Sequence, residues 1–369
     1  MKSIFQADAP IFFAPARVWR CYTGGLLLDR FTGRPPQGDG HLPEDWLASV
    51  VRAVNGKHSL GPDEGLARAL NADGSPGPFL AEWLDRNAAA VLGAAHARRY
   101  GASMALLCKY LDSAVRLPIQ CHPDRETARR LYGSRFGKTE CWHILDTRAI
   151  RGRMPYLLMG FRPGVSREAF ARAVQRQDAA AMEGMLHRTA VKPGETYFVP
   201  ARMPHAIGTG VFMLEVQEPS DLVIQPEAKC ADTRLSRRDM WGPLTPAQGL
   251  DVFDYTGRSF KELMAAVRVR PRPLRAGRTW MLQELVGPDR TAAFGLWQVR
   301  VQGAAKLPAP PSFAVVVVTR GRGVLAWPGG RRPIRRGDYF LAPHGLRESL
   351  RCARAAGLTL LYCLPPADR

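Results

Sequence analysis

Two segments of this chain share one pattern: Lys192-Pro193-Gly194-Glu195-Thr196-Tyr197-Phe198-Val199-Pro200 and Arg336-Gly337-Asp338-Tyr339-Phe340-Leu341-Ala342-Pro343. In each, a Gly-acid pair turns into an apolar run that stops at a proline. A glycine-led turn followed by β-branched and aromatic residues reads as a short strand, and proline ends it because it has no N–H to give the ladder. The same punctuation runs from Val191 to Val223, and recurs in Phe313 to Arg320, Gly323 to Trp327 and Leu358 to Leu364. Short strands separated by glycine and proline argue for antiparallel sandwiches or barrels. The repetition predicts two such units.

Helices interrupt this pattern in two places. Residues 78–99 are rich in Ala and Leu with few breakers, which predicts a helix. Ser166 to His187 opens on a capping serine and carries apolar residues at helical spacing, so one or two helices are expected between strands, as a lid or a packing element. Near the start, Val18 to Tyr22 and Leu26 to Leu28 read as strands around the Gly24-Gly25 turn.

Composition excludes some classes and permits others. The 46% hydrophobic content of 369 residues is enough for a full core. Seven cysteines, without a C-x-x-C pair, fit a reducing compartment better than a disulfide framework. The opening MKSIFQADAPIFF has an acid and a proline where a leader would be apolar, and no run approaches membrane-span length. A cytoplasmic protein with no membrane partner is the expectation. A net charge of +19 raises the question of nucleic acid, but arginine is spread along the chain and no helix-turn-helix, zinc-finger or RNP signature is present. No nucleic-acid partner is expected. The densest basic stretch, positions 267–278, reads as a linker or an edge strand.

The chemistry is concentrated in three short motifs. In LPIQCHPD, Gln120 and His122 are two apart, so on a strand they share a face while Ile119 and Cys121 take the other. Glu140 opens the apolar run ECWHIL, and a carboxylate on the inner face of a strand needs a cation or hydrogen bonds. His205 follows Pro200 and precedes a glycine-punctuated turn, at the edge of the same cavity. Each alone is an ordinary core residue; together they suit one borderline divalent ion, zinc first and Mn²⁺, Fe²⁺ or Co²⁺ next.

At these residues the chain resembles the type I mannose-6-phosphate isomerases. The shared motifs are Gln120-Cys121-His122-Pro123-Asp124, Gly137-Lys138-Thr139-Glu140-Cys141-Trp142, and Pro200 through His205-Ala206-Ile207-Gly208. The resemblance extends over Pro43-Glu44-Asp45-Trp46, Leu106 to Asp112 with Lys109 inside, Leu214-Glu215 and Pro219-Ser220-Asp221, roughly the first two thirds of the chain. It implies a mainly β fold with inserted helices, a bicupin of two jelly-roll barrels with a small helical segment. The expected division is a metal-binding cupin domain over 1–255, a basic linker or edge segment over 256–280, and a cupin-like barrel without a metal site over 281–369, where His344 has no companion ligands. It also implies one Zn²⁺ per chain held by Gln120, His122, Glu140 and His205, and an aldose–ketose isomerisation through an enediol, mannose 6-phosphate to fructose 6-phosphate.

Roles follow from the same resemblance. Lys138 matches a lysine proposed for proton transfer, the alternative being an ion pair that orients Glu140; Asp221 matches an acid near the sugar, and His122 has a competing assignment to ring opening. Glu215, Gln225 and Lys229 are expected to bind substrate. The chain departs from the family at Gln225, where an arginine is usual, with Lys229 and Arg234 just downstream as substitutes. A neutral amide cannot offer a fixed positive charge. The partner is therefore a small sugar or sugar phosphate, and two alternatives stay open: an isomerase of a different sugar, or a non-catalytic metal-bearing sugar-binding or regulatory bicupin. A cupin oxygenase fits less well, because Gln/His/Glu/His is not a 2-His-1-carboxylate triad.

Overall fold

A computed structural model of the protein describes residues 7–367; residues 1–6, where the reading of a leader began, lie outside it. The fold is mainly β with helices between strands, as expected. Its first six-stranded sheet runs, in spatial order, Thr196–Val199, Glu140–Thr147, Val211–Gln217, Leu107–Ser113, Glu44–Leu47 and Arg17–Val18. A three-stranded sheet of His205–Ile207, Tyr156–Phe161 and Leu186–Ala190 lies with it around one core. Trp142, Ile144, Tyr197 and Met213 from the first sheet share that core with Leu157, Met159 and Ile207 from the second.

The other face of the six-stranded sheet is buried as well. Cys108, Tyr110, Cys141, Phe212 and Leu214 join Val315, Val317, Leu341 and Cys363 of the C-terminal half in a second core. Alternation explains the division: Trp142 and Ile144 take one face, Cys141 the other. Polar residues in these strands, Lys109, Glu140 and Glu215, are therefore buried too.

The C-terminal half forms one nine-stranded sheet. Its path is Ile11–Phe12, Tyr339–Ala342, Ala314–Trp327, Arg351–Leu364, Gly295–Val301, Trp280–Val286 and Arg272–Ala276, with Gly330–Arg335 and Ala305–Lys306 paired alongside. The apolar run Val315-Val316-Val317-Val318 is split by alternation, with Val315 and Val317 facing the N-terminal half and Val316 and Val318 facing the sheet's own interior. Ile11 and Phe12 pair with Leu341 and Phe340, so the start of the chain is stitched into the C-terminal sheet. Within 256–280 lie a helix, Phe260–Val267, and the edge strand Arg272–Ala276, whose Arg272 is ion-paired with Glu284.

Local readings need three corrections, the first being that the strand expected over Val18 to Tyr22 is only Arg17–Val18, the chain then leaving the sheet with Arg20 N donating to His41 O. Leu26–Thr32 is a helix, not a strand. Its first turn is held by a distant residue: one oxygen of the buried Asp112 accepts from the N–H groups of Gly25 and Leu27, which the apolar run Leu26-Leu27-Leu28 does not reveal. The helix expected over 78–99 is two, Leu80–Leu92 and Ala94–Tyr100, broken at Gly93. Gly93 has φ 95°, and a Cβ there would meet His344 Nδ1 at 2.8 Å, so the break lets the turn carrying His344 pack close. The segment opened by Ser166 forms two short helices, Arg167–Gln175 and Ala179–Gly184, and buries Phe170, Val174 and Met182 in the first core.

The turn after His205 is built around Gly210. It has φ +75°, and a Cβ added there would lie 1.9 Å from the carbonyl oxygen of Arg148. Left-handed strain and a backbone clash add, so Gly210→Ala is expected to destabilise the fold by at least about 2 kcal/mol. Urea unfolding at neutral pH measures this; an unchanged midpoint would rule out the tight turn.

Candidate metal centre and active site

His205 is the first residue of its strand, and its backbone pairs with Gln120 in both directions, at 2.8 and 2.9 Å. This places the QCH motif beside His205 without any side-chain interaction. The GKTE motif is pinned to the same place: Lys138 N donates to Pro123 O at 3.0 Å. Gly137 is required there, because a Cβ would come within 2.7 Å of Pro123 O and 2.8 Å of Arg125 N. Three segments far apart in sequence thus meet by backbone contact at one place.

Among the described residues, His122, Glu140 and His205 form the set of His, Cys, Asp and Glu side chains whose ligand atoms converge, all within 4.8 Å of one another and all buried. The histidine tautomers are set from behind. His122 Nδ1 donates to Leu222 O at 2.8 Å and His205 Nδ1 to Met203 O at 2.8 Å. Each Nε2 is thereby left as a lone-pair donor facing inward, the arrangement typical of metal-ligating imidazoles. Trp142 Nε1 donates to Glu140 Oε2 at 3.1 Å and its ring meets His205 edge-on. Lys138 Nζ lies 3.1 Å from Glu140 Oε1 and 3.2 Å from His122 Nε2.

The centre passes a direct test of fit to a divalent cation. His205 Nε2 is buried and makes no hydrogen bond within the protein, which costs about 1–3 kcal/mol unless something else meets it, while Glu140 Oε1 is met by the Lys138 ammonium at 3.1 Å. Burial and then Lys138 lower the His122 pKa, and burial and then His122 push His205 down to about 3. Burial by itself would raise Glu140, but Lys138, His122 and His205 outweigh it and hold the carboxyl well below its usual range. Two neutral imidazoles and a carboxylate are the ligand forms a metal needs.

A buried ionic network extends the site across the sheet. Trp46, Lys109, Glu215, Trp142 and Tyr197 are cross-strand neighbours in one row. Lys109 Nζ is 3.1 Å from Glu215 Oε1 and 3.9 Å from Glu44 Oε2, Arg20 Nε is 3.1 Å from Glu44, and Arg20 Nη2 is 3.2 Å from Asp221. Burial works to raise Glu44, yet Arg20 and Lys109 bring it down to about 2. Glu215 goes the other way, raised by burial and then by the charge of Glu140.

Of the residues singled out in sequence, His122, Glu140, His205 and Lys138 come together directly. Gln120 sits beside them through its backbone, and Glu215 lies in the adjoining row. Asp221 faces Arg20 and accepts from Val54 N at 3.0 Å. The Gln225 amide donates to Asp239 O at 3.0 Å, and Lys229 and Arg234 are exposed partners on a short hairpin. Arg20 was not anticipated, and Glu44 and Lys109 carried no assigned role. Lys109 did leave a signal, since a lysine between Cys108 and Tyr110 in an apolar run must have a buried partner.

Comparison with known proteins agrees with this architecture. The chain is 27% identical over 246 residues to mannose-6-phosphate isomerase ManA of Bacillus subtilis, covering 66% of this chain and 70% of that one. It is 26% identical over 253 residues to a mannose-6-phosphate isomerase of Streptococcus mutans, with 66% and 69% covered. No family model matches. Among solved structures, the mannose 6-phosphate isomerase of Bacillus subtilis superimposes with a TM-score of 0.71 at 23% identity, over 96% of this chain and 99% of that one. A mutant phosphomannose isomerase of Salmonella typhimurium gives 0.69 at 18% identity, over 97% and 100%. The fold is that of a mainly β protein, and His122, Glu140 and His205 form a candidate metal site in it. The resemblance to the type I mannose-6-phosphate isomerases is borne out, and the chain is a homologue of these enzymes.

The titrations predict how the metal-free protein responds to acid. His122 and His205 have lowered pKa values, and burial puts His143 at about 4. The unfolded chain therefore binds more protons than the folded one as pH falls from about 6.5. Stability present at pH 7 is lost toward pH 4, by up to about 1.4 kcal/mol per pH unit for each histidine. Below the ordinary carboxylate range Glu140, and Glu44 at about 2, add to the loss. Urea midpoints of the metal-free chain at pH 7, 6 and 5 should fall in that order; a flat series would contradict the buried neutral histidines.

Proposed function

We propose that this protein is a zinc-dependent aldose–ketose isomerase that interconverts mannose 6-phosphate and fructose 6-phosphate, and that its two halves are cupin-type barrels with one zinc site, in the N-terminal half. The observation that carries the reading is the convergence of His122, Glu140 and His205 with Lys138 Nζ within 3.2 Å of two of them. A divalent ion held by these three and Gln120 supplies Lewis-acid polarisation of the sugar's carbonyl and hydroxyl oxygens. Lys138 Nζ takes the proton from the carbon beside the carbonyl and returns it to the neighbouring carbon. Trp142 keeps Glu140 oriented through its indole N–H. Glu215, next in the row, accepts hydrogen bonds from sugar hydroxyls, and Asp221 assists ring opening. Lys229 and Gln225 are assigned to the phosphate end of the substrate.

The test is a coupled isomerase assay on a panel of phosphorylated and free hexoses with added zinc. Turnover of mannose 6-phosphate is expected; binding without turnover would leave a metal-bearing sugar-binding protein instead. Lys138→Ala should lower kcat by roughly 10²–10⁴-fold with zinc content near wild type. Loss of zinc instead would make Lys138 a residue that orients Glu140.

A second reading, an isomerase of another sugar, draws on Gln225, whose amide is engaged with Asp239 O. Under the first reading, Gln225→Arg should raise turnover on 6-phosphosugars, since a fixed cation stabilises an enediolate more than an amide does. An unchanged or lower rate, with good activity on a different sugar in the panel, favours the second.

A further inference from the structure

We infer that Arg20 is a positioning residue of this site, tying the segment that orients His122 to the buried carboxylates on the opposite wall. It lies just after the strand Arg17–Val18, in a stretch with no motif of its own. Its guanidinium is used from three sides: Nε is 3.1 Å from Glu44 Oε2, Nη2 is 3.2 Å from Asp221 Oδ1, and Nη1 donates to Asn55 Oδ1 at 2.9 Å. The guanidinium also lies 5.2 Å from the centroid of the Trp46 ring. Only 13% of the side chain is exposed, so these contacts are weakly screened.

The consequence runs through Asp221. This residue belongs to an irregular segment between the strand Val211–Gln217 and the hairpin that starts at Lys229. Its neighbour Leu222 supplies the carbonyl that accepts His122 Nδ1–H and so decides which nitrogen of His122 faces inward. Partners behind a ligating histidine typically change metal affinity by 10–100-fold when lost. Arg20 also balances charge: Glu44, Asp221 and Glu215 are acids, and Lys109 is the other cation in direct contact with this group. Without Arg20, Asp221 and Glu44 lose their shared counter-ion, and Asp221 is expected to turn outward, carrying Leu222 with it.

The inference rests on the metal-centre reading but not on the identity of the sugar, and its main measurement is zinc affinity of the full chain by competition with a chelator. Arg20→Gln should weaken zinc binding about 10-fold, Asp221→Asn should do the same, and the double variant should be no weaker than either single one, because both act through Leu222. Arg20→Lys, which keeps the charge but not the fork, should fall between wild type and Arg20→Gln. If Arg20→Gln does not fold, Arg20→Lys and Asp221→Asn carry the test. Unchanged zinc affinity with a lowered Tm, or fully additive losses in the double variant, would reduce Arg20 to a structural ion pair and overturn the inference. A wild-type chain that binds zinc but turns over no hexose phosphate overturns the isomerase reading while leaving these measurements valid.

Discussion

The organising constraint of this molecule is a carboxylate where carboxylates do not belong. Glu140 lies on the inner face of a central strand and is 1% exposed. An isolated charge in such a place is strongly unfavourable. The surroundings answer it with the Lys138 ammonium and the Trp142 indole, while His205 Nε2 beside it is buried without a hydrogen bond. A site that is electrostatically prepared but coordinatively unfinished is what a metal-binding enzyme requires, because the ion completes charge and geometry together.

The same logic continues across the sheet. Once Glu140 is buried, its charge disfavours a second anion nearby, and Glu215 is tolerated because Lys109 stands 3.1 Å away. Lys109 in turn needs Glu44, and Glu44 is shared with Arg20. Buried ion pairs of this kind contribute little net stability, and removing one member leaves the others uncompensated. The network therefore specifies geometry more than it stabilises the fold. Stability comes from the apolar faces on either side, with the six-stranded sheet between the core it shares with the three-stranded sheet and the core it shares with the C-terminal half.

The C-terminal half owes its role to that packing. Val315, Val317, Leu341 and Cys363 cover the back of the sheet that carries Glu140 and Glu215, while the opposite faces of the same strands fill the half's own core. Ile11 and Phe12 close the arrangement from the other terminus. A strand held between two cores has little freedom to shift, so Glu140 and Glu215 are held in register with their neighbours.

Much of this was legible in the residues themselves. Alternation put Gln120 with His122 and turned Cys141 away from Glu140; glycine and proline marked the strands; Ser166 announced its helix. Short-range chemistry determines such features, because each depends on neighbours a few positions away. What only the tertiary structure decided depended on partners far along the chain. Leu26–Thr32 is a helix because Asp112 receives its first N–H groups, and the expected helix over 78–99 breaks at Gly93 because His344 needs the room. Arg20 faces Asp221 across two hundred intervening positions, and nothing local to either residue signals the pairing. Desolvated charges choose partners by proximity in space, and that proximity exists only once the sheets have packed.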